Sequence, residues 1–447
     1  MIGPIHVGDT ACADDEYLLT DSHSKLQSQL DIAEHFGRNY QVTYGASKSK
    51  ITVIGSEVDR RYYEELSPWH LNGQKVLVTA ENEHLGQIVS GTDQEQKNLD
   101  LRILKARKSL YSLLGPAFQH KSLLSPKLKI HIFRTYTTPI LRSGLSSFAL
   151  RKGQLQCLSI FHRKVLRGIL NFSKSSNNTA LYLLLGELPI EGQIHRDVFS
   201  LFYNIWCNPD TKIFQIVKYL LETATSNIRT WSAHLRNLSK MYDMEDPLAC
   251  LSRDPPSKAT YKEHILTKIC AYHEKQQRDL AKQNSRMNYL NVSLTGLRGK
   301  AHPALFNIKT AHEAKISRPH LKMLAGDYLT MQIKSTQSGG SPLCQVCTED
   351  IPSIETIEHI LIHCSAYSEV RARILEELRM VLCQNKHIQP IIESKENLCQ
   401  FILDPTSINL SNRVNLQDPV VDTLFHLSRD FCYAINARRM KLLNSKT

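Results

Sequence analysis

Leu26, Leu30, Ala33 and Phe36 recur at three- and four-residue steps between polar positions, which predicts one amphipathic helix. Asp21 or Ser22 is placed to cap its start, and Gly37 to stop it. Ahead of that helix, IHVGDTACADDEYLL at 5–19 carries two short β-prone flanks around a charged tip, the pattern of a hairpin with acidic residues at its turn. ITVI at 51–54 and the segment around Leu85 to Val89 read as strands. Residues 1 to about 91 thus predict a small sheet with a helix against it.

From Asp93 onward the helical period takes over. Ile103, Leu104, Leu110, Tyr111 and Leu114 mark the buried side of one helix, and Ser125-Pro126 opens another with a cap and a first-turn proline. In a third, Leu155, Leu158, Phe161, Val165, Leu166 and Ile169 share one side, while Arg163, Lys164 and Arg167 lie opposite. Polar or proline-containing breaks fall near 172–178, 252–258 and 335–342, and no internal repeat is evident. The expected class is α+β, in three parts: 1–91, 92–252 and a helical 253–447.

Charge changes this picture more than composition does. The chain has 447 residues and a net charge of +12, unevenly placed: residues 1–100 sum to about −8 and residues 101–200 to about +13. Only Glu187, Glu191 and Asp197 are acidic in the second block. Such asymmetry suits a surface that faces a polyanion, although an ordinary solvated lysine-rich face gives the same count. No apolar run approaches the length of a membrane span, and Met1 is followed by no secretion signature, so an intracellular protein of nucleus or cytoplasm is expected.

The stretch CQVCTEDIPSIETIEHILIHC brings in chemistry. Cys344, Cys347, His359 and Cys364 make a C-x2-C-x11-H-x4-C arrangement, in which a paired turn offers two thiolates and a following helical turn closes a tetrahedral shell around zinc. Four protein ligands leave no open position, so the ion is expected to be structural. The fourth ligand is open: His363 lies i+4 from His359 on an ideal helix, whereas thiolate preference and a frayed helix end favour Cys364. The plain alternative is a set of ordinary buried cysteines with a satisfied histidine. The eight other cysteines are scattered singly, as in a reduced intracellular protein.

Asp14 and Asp15 at the hairpin tip could hold Mg²⁺ through hard oxygen ligands, or could form a solvated acidic turn. Taken in order, CADD at 12–15, SKSKITVI at 47–54, HLGQIVSG at 84–91 and the cysteine-histidine cluster resemble the reverse transcriptases of non-LTR retrotransposons. The resemblance continues through RILKARKSLYSLLG, YTTPILRSGLSSF and LLLGELPIEGQIHRD, and through the tail segments FILDPTS and LSRDFCYAINARRMKLL. It implies a palm remnant over 1–91, from the metal-binding hairpin to the primer grip. A basic helical thumb and connection over 92–252 and a helical tail with a zinc knuckle at 344–364 would follow.

The resemblance further implies Asp14 and Asp15 as Mg²⁺ ligands, Lys48 near the phosphates of an incoming nucleotide, and Leu85 with Gly86 at the grip. Its substrates would be RNA and DNA, as a template-primer duplex or target DNA, and its reaction RNA-directed DNA synthesis. Arg102, Lys105, Lys108, Arg163, Lys164 and Arg167 are the cations expected to meet phosphates. Cys12 stands where the family has an aromatic residue, and the family's other metal-binding aspartate motif would lie upstream of Met1. A C-terminal fragment, inactive by itself, is therefore expected; a non-catalytic zinc-containing nucleic-acid-binding protein is the other reading.

Overall fold

The computed structural model describes residues 2–13, 15–66, 68–118, 124–223, 230–306, 308–347, 353–383, 395–407 and 419–445. The chain is mostly helical with a few small strands, an α+β protein. Contacts divide it into two units. Met1–Lys105, Leu141–Gln156 and Ile194–Lys268 form the first; Ala106–Ile140, Cys157–Gln193 and Ile269–Thr447 form the second. No helix among the described residues is long and apolar enough to cross a membrane.

The first unit opens with strands β1 (Asp9–Cys12) and β2 (Asp15–Leu18), antiparallel, with Cys12 opposite Asp15. Helix α1 (His23–Tyr40) follows, then β3 (Lys50–Ile51), α2 (Glu57–Leu66), β4 (His70–Leu71), β5 (Gln74–Lys75), β6 (Leu77–Val78), β7 (Glu81–His84) and β8 (Gln87–Ser90). Among the described residues these strands make four two-stranded sheets, of which only β3-β6 is parallel. Leu30 on α1 shares a core with Ala46, Ile51, Trp69, Leu71, Val76 and Val78, and Leu18 and Leu26 pack against it. Of the ITVI segment only Ile51 lies in a strand, the two-residue β3, whose partner β6 is equally short, and Ile54 is left exposed.

Ser22 caps α1, its side chain accepting from Lys25 N–H at 3.3 Å. Gly37 does not stop the helix, which runs on to Tyr40 and ends on Gln41 in the left-handed region. Gly37 is instead buried inside it, where a Cβ would lie 2.4 Å from the Val42 carbonyl oxygen. The glycine admits the returning chain rather than ending the helix.

The rest is helical: α3 (Gln94–Phe118), α4 (Pro126–Ile132), α5 (Thr138–Arg142), α6 (Lys152–Leu170), α7 (Asn178–Leu185) and α8 (Ile190–Trp206). Helices α9 (Lys212–Thr223), α10 (Trp231–Met241), α11 (Pro247–Leu251) and α12 (Lys258–Lys282) follow. The tail holds α13 (Ala311–Leu324), α14 (Met331–Ser338), α15 (Ser368–Cys383), α16 (Lys395–Leu403) and α17 (Pro419–Asn444). Ser125 caps α4 ahead of Pro126, as its sequence predicts, and α6 buries Leu158, Phe161, Val165, Leu166 and Ile169. On α3 the buried stripe is Leu99, Arg102, Ala106 and Leu110, whereas Leu104 and Tyr111 are exposed; the true period is offset from the densest apolar run.

In the second unit α17 packs on both α13 and α15, burying Leu321, Leu324, Leu424, Phe425, Phe431 and Ile435. Each such side chain contributes on the order of 1.5–3 kcal/mol. Several charged residues of the segments quoted above prove to be internal fasteners. Asp404 of FILDPTS accepts Asn291 N–H at 2.8 Å and Thr406 Oγ at 2.5 Å, with His302 Nε2 3.3 Å away. Glu187 accepts from Arg134 Nε at 2.5 Å and Gln193 Nε2 at 2.8 Å. Burial opposes ionisation of Glu187, yet bonds from His162 and Arg134 hold its carboxyl below the usual carboxylate range. In the first unit, Arg142 Nη1 donates to Asp197 at 2.6 Å.

Candidate metal centre

Cys344, Cys347, His359 and Cys364 converge, each offering one ligand atom, with all four atoms within 4.8 Å of one another. Cys344 Sγ lies 3.9 Å from Cys364 Sγ, Cys347 Sγ 3.7 Å from Cys364 Sγ, and Cys347 Sγ 3.2 Å from His359 Nε2. For Zn–S bonds of about 2.3 Å, a tetrahedron has edges of roughly 3.8 Å, so the four atoms already stand near the corners of one coordination shell. The cluster could hold a metal ion, and three sulfurs with one imidazole nitrogen are a donor set compatible with zinc. Cys344, His359 and Cys364 are buried and Cys347 is half-buried.

The fourth position falls to Cys364 for a reason that an ideal helix conceals. Residues His359–His363 form a π-helical turn, closed by Cys364 N–H donating to the His359 carbonyl at 2.7 Å. A turn wound by one extra residue brings i and i+5 onto one side, where an α-helix would align i and i+4. His363 is turned outward, its Nε2 3.3 Å from Glu358 and its side chain 42% exposed.

Backbone pairing sets the other half of the cluster. Leu343 bridges Ile354, and Cys344 N–H donates to the Ser353 carbonyl at 2.8 Å, so the first cysteine is fixed in a short ladder. Glu355, one residue on, has no exposed surface and holds Arg439 of α17 through contacts of 3.0 and 2.7 Å. It also accepts Met331 N–H at 2.6 Å, at the start of α14, and lies 3.9 Å from Cys344 Sγ. Arg371 donates to the Leu361 and Cys364 carbonyls at 2.8 and 2.7 Å, capping the π turn from α15. These supports were missed in the sequence, since nothing local marks Glu355 as the partner of a residue 84 positions away.

The three thiols shift one another's ionisation through their mutual hydrogen bonds. A hydrogen bond from the Cys364 thiol draws Cys344 down to about 3, and that same bond pushes Cys364 up. Burial, reinforced by Cys344, pushes Cys347 up as well. Protein atoms alone thus stabilise one thiolate in a set of three. A divalent ion would favour ionisation of the other two, releasing protons as it binds.

The remaining predicted site residues are dispersed. Asp14 lies outside the described residues. Asp15 is exposed at the start of β2, and Lys48 is exposed in a turn closed by its own N–H on the Gly45 carbonyl at 3.0 Å. Among the described residues no hydrogen bond or ion pair joins Asp15 to Lys48, and no metal-competent side chains group at this hairpin. Leu85 and Gly86, with φ of 47° and 75°, form the two-residue tip of the β7-β8 hairpin, and Leu85 is 58% exposed.

The expected cationic face is divided. Arg102 is buried and donates to the Gly86 carbonyl, so it fastens the hairpin and is not free for phosphate. Arg167 is occupied by Ser176 and by Asn178 Oδ1, and Lys105 pairs with Glu83 at 2.9 Å. Arg163 is half-buried beside Tyr182, while Lys108 and Lys164 are exposed. The sequence placed these cations opposite apolar stripes but could not show which of them the fold would use itself. The chain matches no protein-family model and no curated protein sequence.

Proposed function

We propose that this chain is a zinc-containing nucleic-acid-binding protein of the non-LTR reverse-transcriptase kind, in which a palm-like first part leads into a basic helical thumb and a tail pinned by zinc. The observation that carries this reading is the near-tetrahedral Cys344, Cys347, His359 and Cys364 cluster, downstream of an acidic hairpin, a Leu-Gly hairpin tip and a basic helical stretch. Zinc there would be structural, because four protein ligands leave no position for water or substrate. Of the cations that the sequence singles out on α3 and α6, Lys108, Lys164 and Arg163 are left to meet the phosphates of a template-primer duplex or target DNA. Arg102 and Arg167 would act by holding the hairpin tip and the turn after α6 in place.

The chemistry implied by the resemblance is deoxynucleotide addition to a primer 3′-hydroxyl with release of pyrophosphate. Asp14 and Asp15 would carry Mg²⁺, and Lys48 would meet the nucleotide's phosphates. Two-metal phosphoryl transfer needs carboxylates from more than one segment around ions about 3.5–4 Å apart. Asp15 is the hairpin's one described aspartate of the pair, and no such grouping forms around it among the described residues. Grip rather than synthesis is therefore proposed for the chain by itself.

Binding of an RNA-DNA duplex between 50 and 200 mM salt tests the reading. Log affinity should fall linearly with log salt, with a slope of about −0.9 per phosphate neutralised. A flat slope would remove the phosphate-contact model. Primer extension on an RNA template with Mg²⁺ or Mn²⁺ should stay at background; robust incorporation abolished by Asp15→Ala would replace a binding protein with an enzyme.

A further inference from the structure

Within the second unit, the Asn171–Ser175 turn, α13 and α17 enclose an open cleft of about 580 Å³. Arg286, Lys315, Arg318 and Lys322 line it, and none of the four makes an ion pair among the described residues. Its one lining carboxylate, Asp327, is already engaged, accepting the Ser173 N–H at 2.9 Å together with the Ser173 hydroxyl. Four cations without an ion-pair partner thus line the cleft against this one carboxylate.

The inner end is more telling. Lys129 of α4 is only 6% exposed, and it lines a small recess with Arg318 that shares Arg318 and Asn171 with the cleft. It makes no ion pair among the described residues. Burial, and then the like charge of Arg318, bring the Lys129 ammonium down to about 8. Two cations held together in a part-buried recess are costly unless an anion comes between them.

We propose that this cleft binds a single strand of nucleic acid, with one backbone phosphate seated between Lys129 and Arg318 and the next ones along Lys315 and Lys322. The proposal rests on the nucleic-acid reading above and narrows it to one site. Lys315, Arg318 and Lys322 are spaced i, i+3 and i+7 on one face of α13. At about 1.5 Å per residue they span roughly 10 Å along the helix axis, a row of charge that a strand's backbone can follow. Tyr433 of α17 lines the cleft half-buried, and its ring offers a face to an unpaired base. A duplex keeps its bases stacked inside and would leave that ring unused, which is why a single strand is favoured.

The full chain is titrated with a labelled 12-nucleotide oligothymidylate and, separately, a 12-base-pair DNA duplex, by fluorescence anisotropy. Arg318→Gln combined with Lys322→Gln should weaken single-strand binding tenfold or more and lower the salt slope by about 1.4, while duplex affinity stays within about twofold. Tyr433→Ala should weaken single-strand binding about fivefold or more. Lys129→Met should weaken it too, yet raise the unfolding midpoint, because an unpaired buried charge is removed; a lysine with a merely structural role would lower that midpoint. If wild type binds the single strand and the cleft variants bind it equally well, the cleft is not the site, and the broader reading stands. If single-strand and duplex binding fall together, strand selectivity is overturned. If wild type binds neither, both readings fall.

Discussion

At Glu355 a carboxylate without exposed surface meets the Arg439 guanidinium at two points while also accepting a backbone N–H. Burial alone would lower the arginine's pKa, but this pairing raises it, so the guanidinium stays charged. Removing one member strands the other, at a cost of about 3–5 kcal/mol. Glu355→Ala is therefore expected to lower stability by that amount in urea unfolding, and to loosen zinc by about 10–100-fold in competition with a chelator. Unchanged zinc affinity would detach Glu355 from the metal centre. Among the ligands, Cys364→Ala should lose the ion while His363→Ala keeps it, and metal analysis of the two proteins decides. Lys129 gives a pH signature. Its pKa is lowered in the fold from 10.5 to about 8, so between those values the unfolded chain binds more protons and stability rises with pH. The advantage of Lys129→Met over wild type should be fullest below pH 8 and shrink toward pH 10.5; a constant gap would mean that the lysine is charged equally in both states. Arg318 is the one other charged side chain lining that recess. The metal ligands were legible because C-x2-C spacing is local. Glu355, Arg439 and Lys129 were not, because their roles come from residues far away in the chain.

Elements show the same division between local and distant causes. Caps were legible: Ser22 and Ser125 each receive the N–H that a side-chain oxygen at that position can reach. Gly37 was misread as a stop, since a glycine after an apolar stripe looks the same whether it ends a helix or makes room for a neighbour. Its neighbour is the Val42 carbonyl, so Gly37→Ala should destabilise by about 1–3 kcal/mol in thermal unfolding. A neutral result would show that the returning chain can move aside. The π turn after Glu358 was equally hidden, because periodicity predicts a helix without telling its winding, and the winding is what selects Cys364 over His363. At the β7-β8 tip, Gly86 at φ 75° also gives its carbonyl to Arg102. A Cβ there costs roughly 1–2 kcal/mol through the left-handed backbone, and Gly86→Ala should show at least that loss.

On the scale of the whole chain, a net charge of +12 does not by itself say where a polyanion would lie, because the fold uses many of its own cations. Arg134, Arg142, Arg167 and Arg439 serve carboxylates or carbonyls within their own units, and the cations left over overlap only in part with the set the sequence singles out. Metal removal tests how the second unit is held. All four ligands belong to it, and through Glu355 they reach Met331 and Arg439, so the ion would join the knuckle to α14 and α17. Binding free energy of a structural zinc is folding free energy for the segments it ties together. Cys344→Ser, or chelation of the wild type, should therefore raise amide exchange across 343–371 and at the ends of α14 and α17 near these contacts. The core of Leu30, Ile51, Trp69 and Val78 belongs to the first unit and should keep its protection. Exchange rising equally in both units would make the ion a support of the entire chain, and exchange rising in neither would mean that the cluster forms without any metal to hold it.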